Sequence, residues 1–106
     1  MKEKIAILGG GNIGKAIARG LLASGQFPAG NLTVTDLNLQ YLTDLEESGI
    51  RLSTDNAAAV RAADIILLCV QPTQVADLIS EIREAMDPER HIVAFVVAAY
   101  EVQDIR

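Results

Sequence analysis

The sequence predicts an α/β domain: a doubly wound parallel sheet of about five strands with helices on both faces. Three observations carry that expectation. Short runs that are apolar at every position, Ile5-Ala6-Ile7-Leu8 first among them, alternate with longer segments of helical period. A strand that is apolar on both faces must be covered on both, as parallel sheets are in strand–helix alternation. Finally, nothing between the runs resembles a two-residue hairpin turn, which disfavours an antiparallel α+β arrangement.

Taken in order, Ile5–Leu8 is the first strand and ends in glycines. Residues 12–24 follow as a helix with Ile13, Ala16, Ile17, Gly20, Leu21 and Ser24 along one side, stopped by Gly25 and Pro28. Leu32–Thr35 is the second strand. Asn38 is placed to cap a helix carrying Leu39, Leu42 and Leu45 as far as Gly49. A brief strand over 50–52 leads to an alanine-rich helix over 56–62, with Thr54 or Asp55 as its cap. The most apolar strand is Ile65–Val70. After Pro72, the segment 73–86 sets Val75, Leu78, Ile79, Ile82 and Met86 at helical spacing and turns Asp77, Glu81 and Glu84 outward. His91 opens a fifth strand, Ile92–Val97, and is assigned no other role; 101–106 begins a last helix.

Length and composition bound the function. A chain of 106 residues holds one core and no second functional domain. Its formal charge of −5 argues against nucleic acid, which calls for a basic stripe. One cysteine makes neither a disulfide framework nor a multi-cysteine metal site, and no metal is expected. No apolar run approaches the roughly 20 residues of a membrane helix. Met1-Lys2-Glu3-Lys4 does not open a signal peptide. A soluble, cytoplasmic domain with no membrane partner is the expectation.

Gly9-Gly10-Gly11-Asn12-Ile13-Gly14 fits G-x-G-x-x-G. The motif is weak alone, but here it directly follows a strand and opens a helix, the context a Rossmann-type dinucleotide site requires. Gly9 permits the tight turn, Gly11 removes a Cβ where a diphosphate approaches, and Gly14 lets the helix lie close to the strand. The N–H groups and positive end of that helix then face the anion. Asp36 ends the second strand, 22 residues after Gly14, where such a fold places a carboxylate to bind the adenine ribose hydroxyls. A competing role for Asp36 is as a helix N-cap or turn former, although Asn38 is the better cap. A carboxylate there repels a ribose 2′-phosphate, at roughly 4 kcal/mol per charge pair at about 4 Å before screening. Leu37, Asn38 and Leu39 follow with no arginine. NAD is therefore favoured over NADP.

Read as IAILGGGNIGKAIARGLL, Ile5–Leu22 resembles the opening of pyrroline-5-carboxylate reductase; the ASG turn, the TDNAAAV stretch and the VQP after strand four extend the resemblance over essentially the whole chain. The resemblance implies NAD(P)H-dependent reduction of 1-pyrroline-5-carboxylate to proline, the last step of proline biosynthesis. It implies that Leu8, Gly9, Gly10, Gly11, Asn12 and Ile13 contact the diphosphate and that Asn56 touches the adenosine side. It further implies that Cys69, Val70, Gln71 and Pro72 line the cofactor and that Val96, Val97 and Ala98 lie beside the nicotinamide. Asn56 also serves as a first-turn helix residue, and Cys69 as a strand filler with nothing nearby in sequence to lower its pKa.

The departures set limits. Gln71 stands where the family usually has lysine, and Ala99 where its segment after strand five has glycine. The family's C-terminal helical domain, which dimerises and completes the active site, is not among these residues. The expectation is thus an NAD(P)-binding domain over 1–106, without a catalytic residue of its own and not active as this chain alone. An imine substrate is expected only with such a further domain, and the chain is expected to form a homo-oligomer. The alternatives are a stand-alone dinucleotide-sensing or interaction module, or the cofactor domain of another dehydrogenase, such as a prephenate dehydrogenase-like or deazaflavin-dependent NADP reductase-like protein.

Overall fold

The computed structural model describes residues 3–9 and 11–95. The expectations placed on Gly10, Val96, Val97, Ala98 and the 101–106 helix lie outside the described residues. Five strands, β1 (Ile5–Leu8), β2 (Leu32–Thr35), β3 (Arg51–Ser53), β4 (Ile65–Leu68) and β5 (Ile92–Phe95), form one sheet in the order β3-β2-β1-β4-β5. Every pairing is parallel, with Ile5 of β1 beside Leu32 on one side and Ile65 on the other. Four α-helices connect them: α1 (Asn12–Ala23), α2 (Thr43–Glu47), α3 (Asn56–Ala62) and α4 (Pro72–Ile82).

The all-apolar strands explain the two layers. Along β1, Ile5 and Ile7 point into one core with Leu32 and Val34 of β2, closed by Ala18 of α1 and Leu42 and Leu45 from the α2 region. Ala6 and Leu8 point the other way, into a core with Ile66 and Leu68 of β4, Ala59 and Val60 of α3, and Leu78 and Ile82 of α4. Right-handed crossovers require this arrangement. The chain steps from β1 through β2 to β3 in one direction, which puts α1 and α2 on one face. It then steps across to β4 and β5 in the other direction, which puts α3 and α4 on the opposite face.

Several boundaries differ from the sequence reading. On α1, Gly14 and Ala18 are buried and Ile17, Leu21 and Leu22 flank them, while Ile13, Ala16, Gly20 and Ser24 are exposed. The helix lies so close to β1 that only small residues fit beneath it, so the large apolar residues pack at its sides. The expected helix after Asn38 is split into a 3-10 turn at Leu39–Leu42 and then α2. The Asn38 side chain accepts from the Gln40 N–H, two residues on, and so starts the tighter turn. β3 begins one residue later than the 50–52 expected. β4 ends at Leu68 rather than Val70, because Pro72 is already the first residue of α4. That helix ends at Ile82, and a 3-10 turn over Arg83–Ala85 completes the segment read as one helix over 73–86.

Other expectations hold. Leu78 and Ile82 are buried, with Asp77, Glu81 and Glu84 exposed. Gly25 follows α1 at φ +75° and donates its N–H to the Leu22 carbonyl at 3.2 Å, an αL stop. Asp55 caps α3 by accepting from the Ala58 N–H at 3.0 Å. Among the described residues, no helix is long and apolar enough to cross a membrane.

Candidate dinucleotide site

A doubly wound sheet opens a crevice at the carboxyl ends of the strands where the winding reverses. Here that point lies between β1 and β4, and the glycine loop leaves β1 directly beside it. Gly9 adopts φ +100°, a backbone that L side chains rarely adopt. A Cβ there would sit 2.8 Å from Val70 Cγ1 and 2.9 Å from the Cys69 carbonyl oxygen. The loop is pinned on its other side by the Gly9 N–H, which donates to the Thr35 carbonyl at 3.0 Å. The Cys69 N–H in turn donates to the Leu8 carbonyl at 2.8 Å. Leu8, Gly9, Cys69 and Val70 are thereby brought together.

Gly14 is tighter still. A Cβ on it would lie 2.1 Å from the Gly9 carbonyl oxygen, so the first turn of α1 reaches its place over the loop only without a side chain. Gly11 is the opposite case. It is exposed, and a Cβ there would meet nothing within 4 Å. Among the described residues no packing calls for glycine at position 11, and the open space leaves room for an outside group to approach the backbone. Gly11 is also the N-cap of α1 and has no side chain to bond the first N–H groups; the first turn carries no acidic residue. The open end of a twelve-residue helix therefore offers its donors and its positive end outward. Exposed Ile13 lies on this turn, and the Asn12 backbone opens it. These residues fit a diphosphate.

Asp36 leaves β2 next to this loop. Its N–H donates to the Ser53 carbonyl at 3.2 Å, and its Oδ1 accepts from the Asn38 N–H at 3.1 Å. The turn-forming role is therefore present, and it fixes the carboxylate at the strand end. Leu37, 92% exposed, stands at the tip of that turn. Asn56 begins α3; its Oδ1 accepts from the buried Thr35 hydroxyl, and its Nδ2 donates to Glu81 Oε2 at 2.9 Å. Asn56 is thus tied to the strand that carries Asp36. Sequence reasoning missed both partners: Thr35 reads as an ordinary strand residue and Glu81 as part of a solvated helix face.

Gln71 and Pro72 turn the chain from β4 into α4. The Gln71 N–H donates to Gln74 Oε1 at 3.2 Å and Pro72 takes the first helical position, where its missing N–H costs nothing. Burial pushes the Cys69 thiol up to about 11, in keeping with a filler and not a nucleophile. His91 is buried at the start of β5, its Nδ1 accepting from the Asp87 N–H at 2.9 Å. At the far end of the sheet, Asp64 accepts from the Lys4 N–H at 3.0 Å and pairs with Arg90 at 3.4 Å. The Lys4 bond, first of all, holds its carboxyl below the usual range. Among the described residues no cluster of His, Cys, Asp and Glu could hold a metal ion.

Comparison with known proteins places the chain in a family. The model of the family described as "NADP oxidoreductase coenzyme F420-dependent" matches residues 4–98. Pyrroline-5-carboxylate reductase 1 of Dictyostelium discoideum is 39% identical over 102 residues, covering 96% of this chain and 18% of that protein. The pyrroline-5-carboxylate reductase of Methanosarcina acetivorans is 32% identical over 93 residues, covering 87% of this chain and 34% of that protein. Among solved structures, a pyrroline-5-carboxylate reductase from Coxiella burnetii superposes with a TM-score of 0.79 at 28% identity, over 91% of this chain and 36% of that one. The chain spans well under half the length of these relatives. It belongs to the NADP oxidoreductase, coenzyme F420-dependent, family, as a dinucleotide-binding oxidoreductase domain similar to the N-terminal portion of pyrroline-5-carboxylate reductases.

Proposed function

We propose that this chain is the cofactor-holding domain, over residues 1–106, of a reductase that acts on a cyclic imine of the 1-pyrroline-5-carboxylate kind, and that it prefers NAD(H) to NADP(H). The observation that carries the reading is the junction itself: β1 leads into Gly9 at φ +100°, and Gly11 opens α1 with no side-chain cap and no acidic residue in the first turn. Such an end, with open space above Gly11, suits a ligand's diphosphate.

When bound, the reduced nicotinamide supplies hydride to the carbon of the carbon–nitrogen double bond. The chain's part is to hold and orient it. Backbone N–H groups at the start of α1 bind the diphosphate, and Gly10 is assigned a contact with it too. Asp36 accepts from the ribose hydroxyls, and Asn56 meets the adenosine side. Cys69, Val70, Gln71 and Pro72 wall the cofactor at the end of β4, with Val96, Val97 and Ala98 beside the nicotinamide ring. Substrate walls and a proton donor for the reduced imine come from a further helical domain, so the 106-residue chain binds cofactor without robust turnover. The proposed setting is the cytoplasm and the proposed working form a homo-oligomer.

Isothermal titration of the chain with NADH and NADPH tests the reading. NADH binds more tightly, and Asp36→Ser shifts the ratio toward NADPH by about tenfold, equivalent to about 1.4 kcal/mol of relieved repulsion. Equal or reversed affinities in the unmodified chain would remove Asp36 from the ribose role. Failure to bind either cofactor would remove the site.

A further inference from the structure

Asn56 is held from two sides by groups of different chemistry. Thr35, the last residue of β2, is 1% exposed and donates its hydroxyl to Asn56 Oδ1; Glu81 of α4 accepts from Asn56 Nδ2 at 2.9 Å. A hydroxyl can donate or accept, so Thr35 alone would satisfy the amide whichever way round it lay. A carboxylate only accepts. Glu81 therefore decides the orientation: the NH2 group faces Glu81 and the carbonyl oxygen faces Thr35. With one N–H given to Glu81 and one lone pair taken by Thr35, the amide retains one N–H and one lone pair of defined position.

The network is anchored on the residue before the candidate ribose carboxylate. Thr35 immediately precedes Asp36, whose own N–H is fastened to Ser53 at 3.2 Å, and Asp55 caps the helix that Asn56 begins. From this juxtaposition we infer that Glu81, a surface residue of α4 outside every motif of the fold, is a positioning residue for the adenosine end of the cofactor site: acting through Asn56, it fixes which hydrogen-bonding group that amide presents to the ligand. The inference rests on the proposed reading of Asn56 as an adenosine-side residue. It gives α4 a part in cofactor recognition beyond the contacts of its first turn.

Glu81→Gln keeps the side chain's length but adds a donor, so the pair can bond in either orientation and the amide is no longer fixed. The test is titration of the full chain with NADH, ADP-ribose and reduced nicotinamide mononucleotide, with thermal melting of each variant. Glu81→Gln is expected to weaken NADH and ADP-ribose by about three- to tenfold, the range of one mispositioned hydrogen bond. The mononucleotide, which lacks adenosine, is unaffected, and the melting midpoint stays within about 2 °C, as for a neutral surface substitution. The loss persists at about 0.5 M salt, where a simple charge effect would be screened. It vanishes in an Asn56→Ala background, because Glu81 acts only through that amide.

Unchanged or tighter ADP-ribose binding by Glu81→Gln overturns the inference. So does a loss that salt abolishes, one that the mononucleotide shares equally, or one that persists without Asn56. If the unmodified chain binds NADH and Glu81→Gln binds it equally well, only the role of Glu81 falls. If the unmodified chain binds neither NADH nor ADP-ribose, the reading of the whole site falls with it.

Discussion

Gly11 and Gly14, three residues apart where the loop enters α1, meet different surroundings, and substitution separates them. A Cβ at Gly14 would meet the Gly9 carbonyl oxygen at 2.1 Å, and neither backbone can give way without moving the loop off β4. Gly14→Ala should therefore cost about 3 kcal/mol or more in urea denaturation. A Cβ at Gly11 meets nothing within 4 Å, so Gly11→Val should leave circular dichroism unchanged and stability within about 1 kcal/mol. It should nonetheless abolish NADH binding, because the branched side chain fills the space assigned to the diphosphate. Wild-type affinity in Gly11→Val would place the diphosphate elsewhere. Cys69 supplies a prediction in pH. Burial raises its thiol from the ordinary 9.0 to about 11, so the folded chain keeps the proton after the unfolded chain has lost it. The contribution to stability is present below pH 9 and lost as the pH rises toward about 11. Denaturation curves for the parent chain and Cys69→Ala at pH 8 and pH 10.5 read it: the parent loses more stability over that interval, and parallel losses would mean that the thiol is not buried.

At the scale of elements, what the sequence made legible follows from which forces act locally. Strand existence and parallel pairing were readable because Ile5–Leu8 and Ile65–Leu68 are apolar at every position; β1 is buried on both faces, and on β4 Ile66 and Leu68 are buried with Ile65 and Leu67 partly so. The glycine loop was readable because its requirement is steric and local. The buried face of α1 was not. Helical period alone favours the larger side chains Ile13 and Ile17, whereas the close approach to β1 selects Gly14 and Ala18, and that approach is a tertiary fact. The Asn56–Glu81 bond was invisible for a similar reason, since it joins residues 25 apart on helices whose relative placement no local pattern encodes. Asp64 belongs here too. It ties the entry of β1 to the entry of β4 through the Lys4 N–H and holds Arg90, which also donates to the Arg61 carbonyl at 2.9 Å. The folded-state carboxyl is lowered from 3.8, so its contribution is present above that value and lost as acid is added below it. Asp64→Asn should be less stable than the parent at pH 7, and the gap should close as both are titrated toward strong acid. A gap that stays constant with pH would remove the charge from the effect.

For the molecule as a whole, the winding leaves one region of sheet without a helix among the described residues. α1 and α2 cover the face over β1 and β2, and α3 and α4 cover the opposite face. On the α1 face, Ile65 and Leu67 of β4 are only partly buried, and Ile92, their neighbour on β5, is 65% exposed. On the other face Phe95 is 54% exposed. Extending the sheet would not close the α1 face. A right-handed crossover from β5 to a further parallel strand beside it runs over the α3 and α4 side. The two sheet edges also differ. β3 is three residues long and carries exposed Arg51, a charge of the kind that guards an edge, whereas β5 has no charged residue over Ile92–Phe95. An apolar sheet surface that the described residues leave uncovered, beside an edge without a charged residue, is an interface or an aggregation liability. The chain is therefore expected to self-associate through β5, with its weight-average mass rising across a micromolar concentration series in analytical ultracentrifugation. Because Ile92 is mostly exposed, Ile92→Lys should cost little in folding while shifting the series back toward monomer. A single monomeric species at high micromolar concentration in the unmodified chain would show that this face is satisfied within one copy.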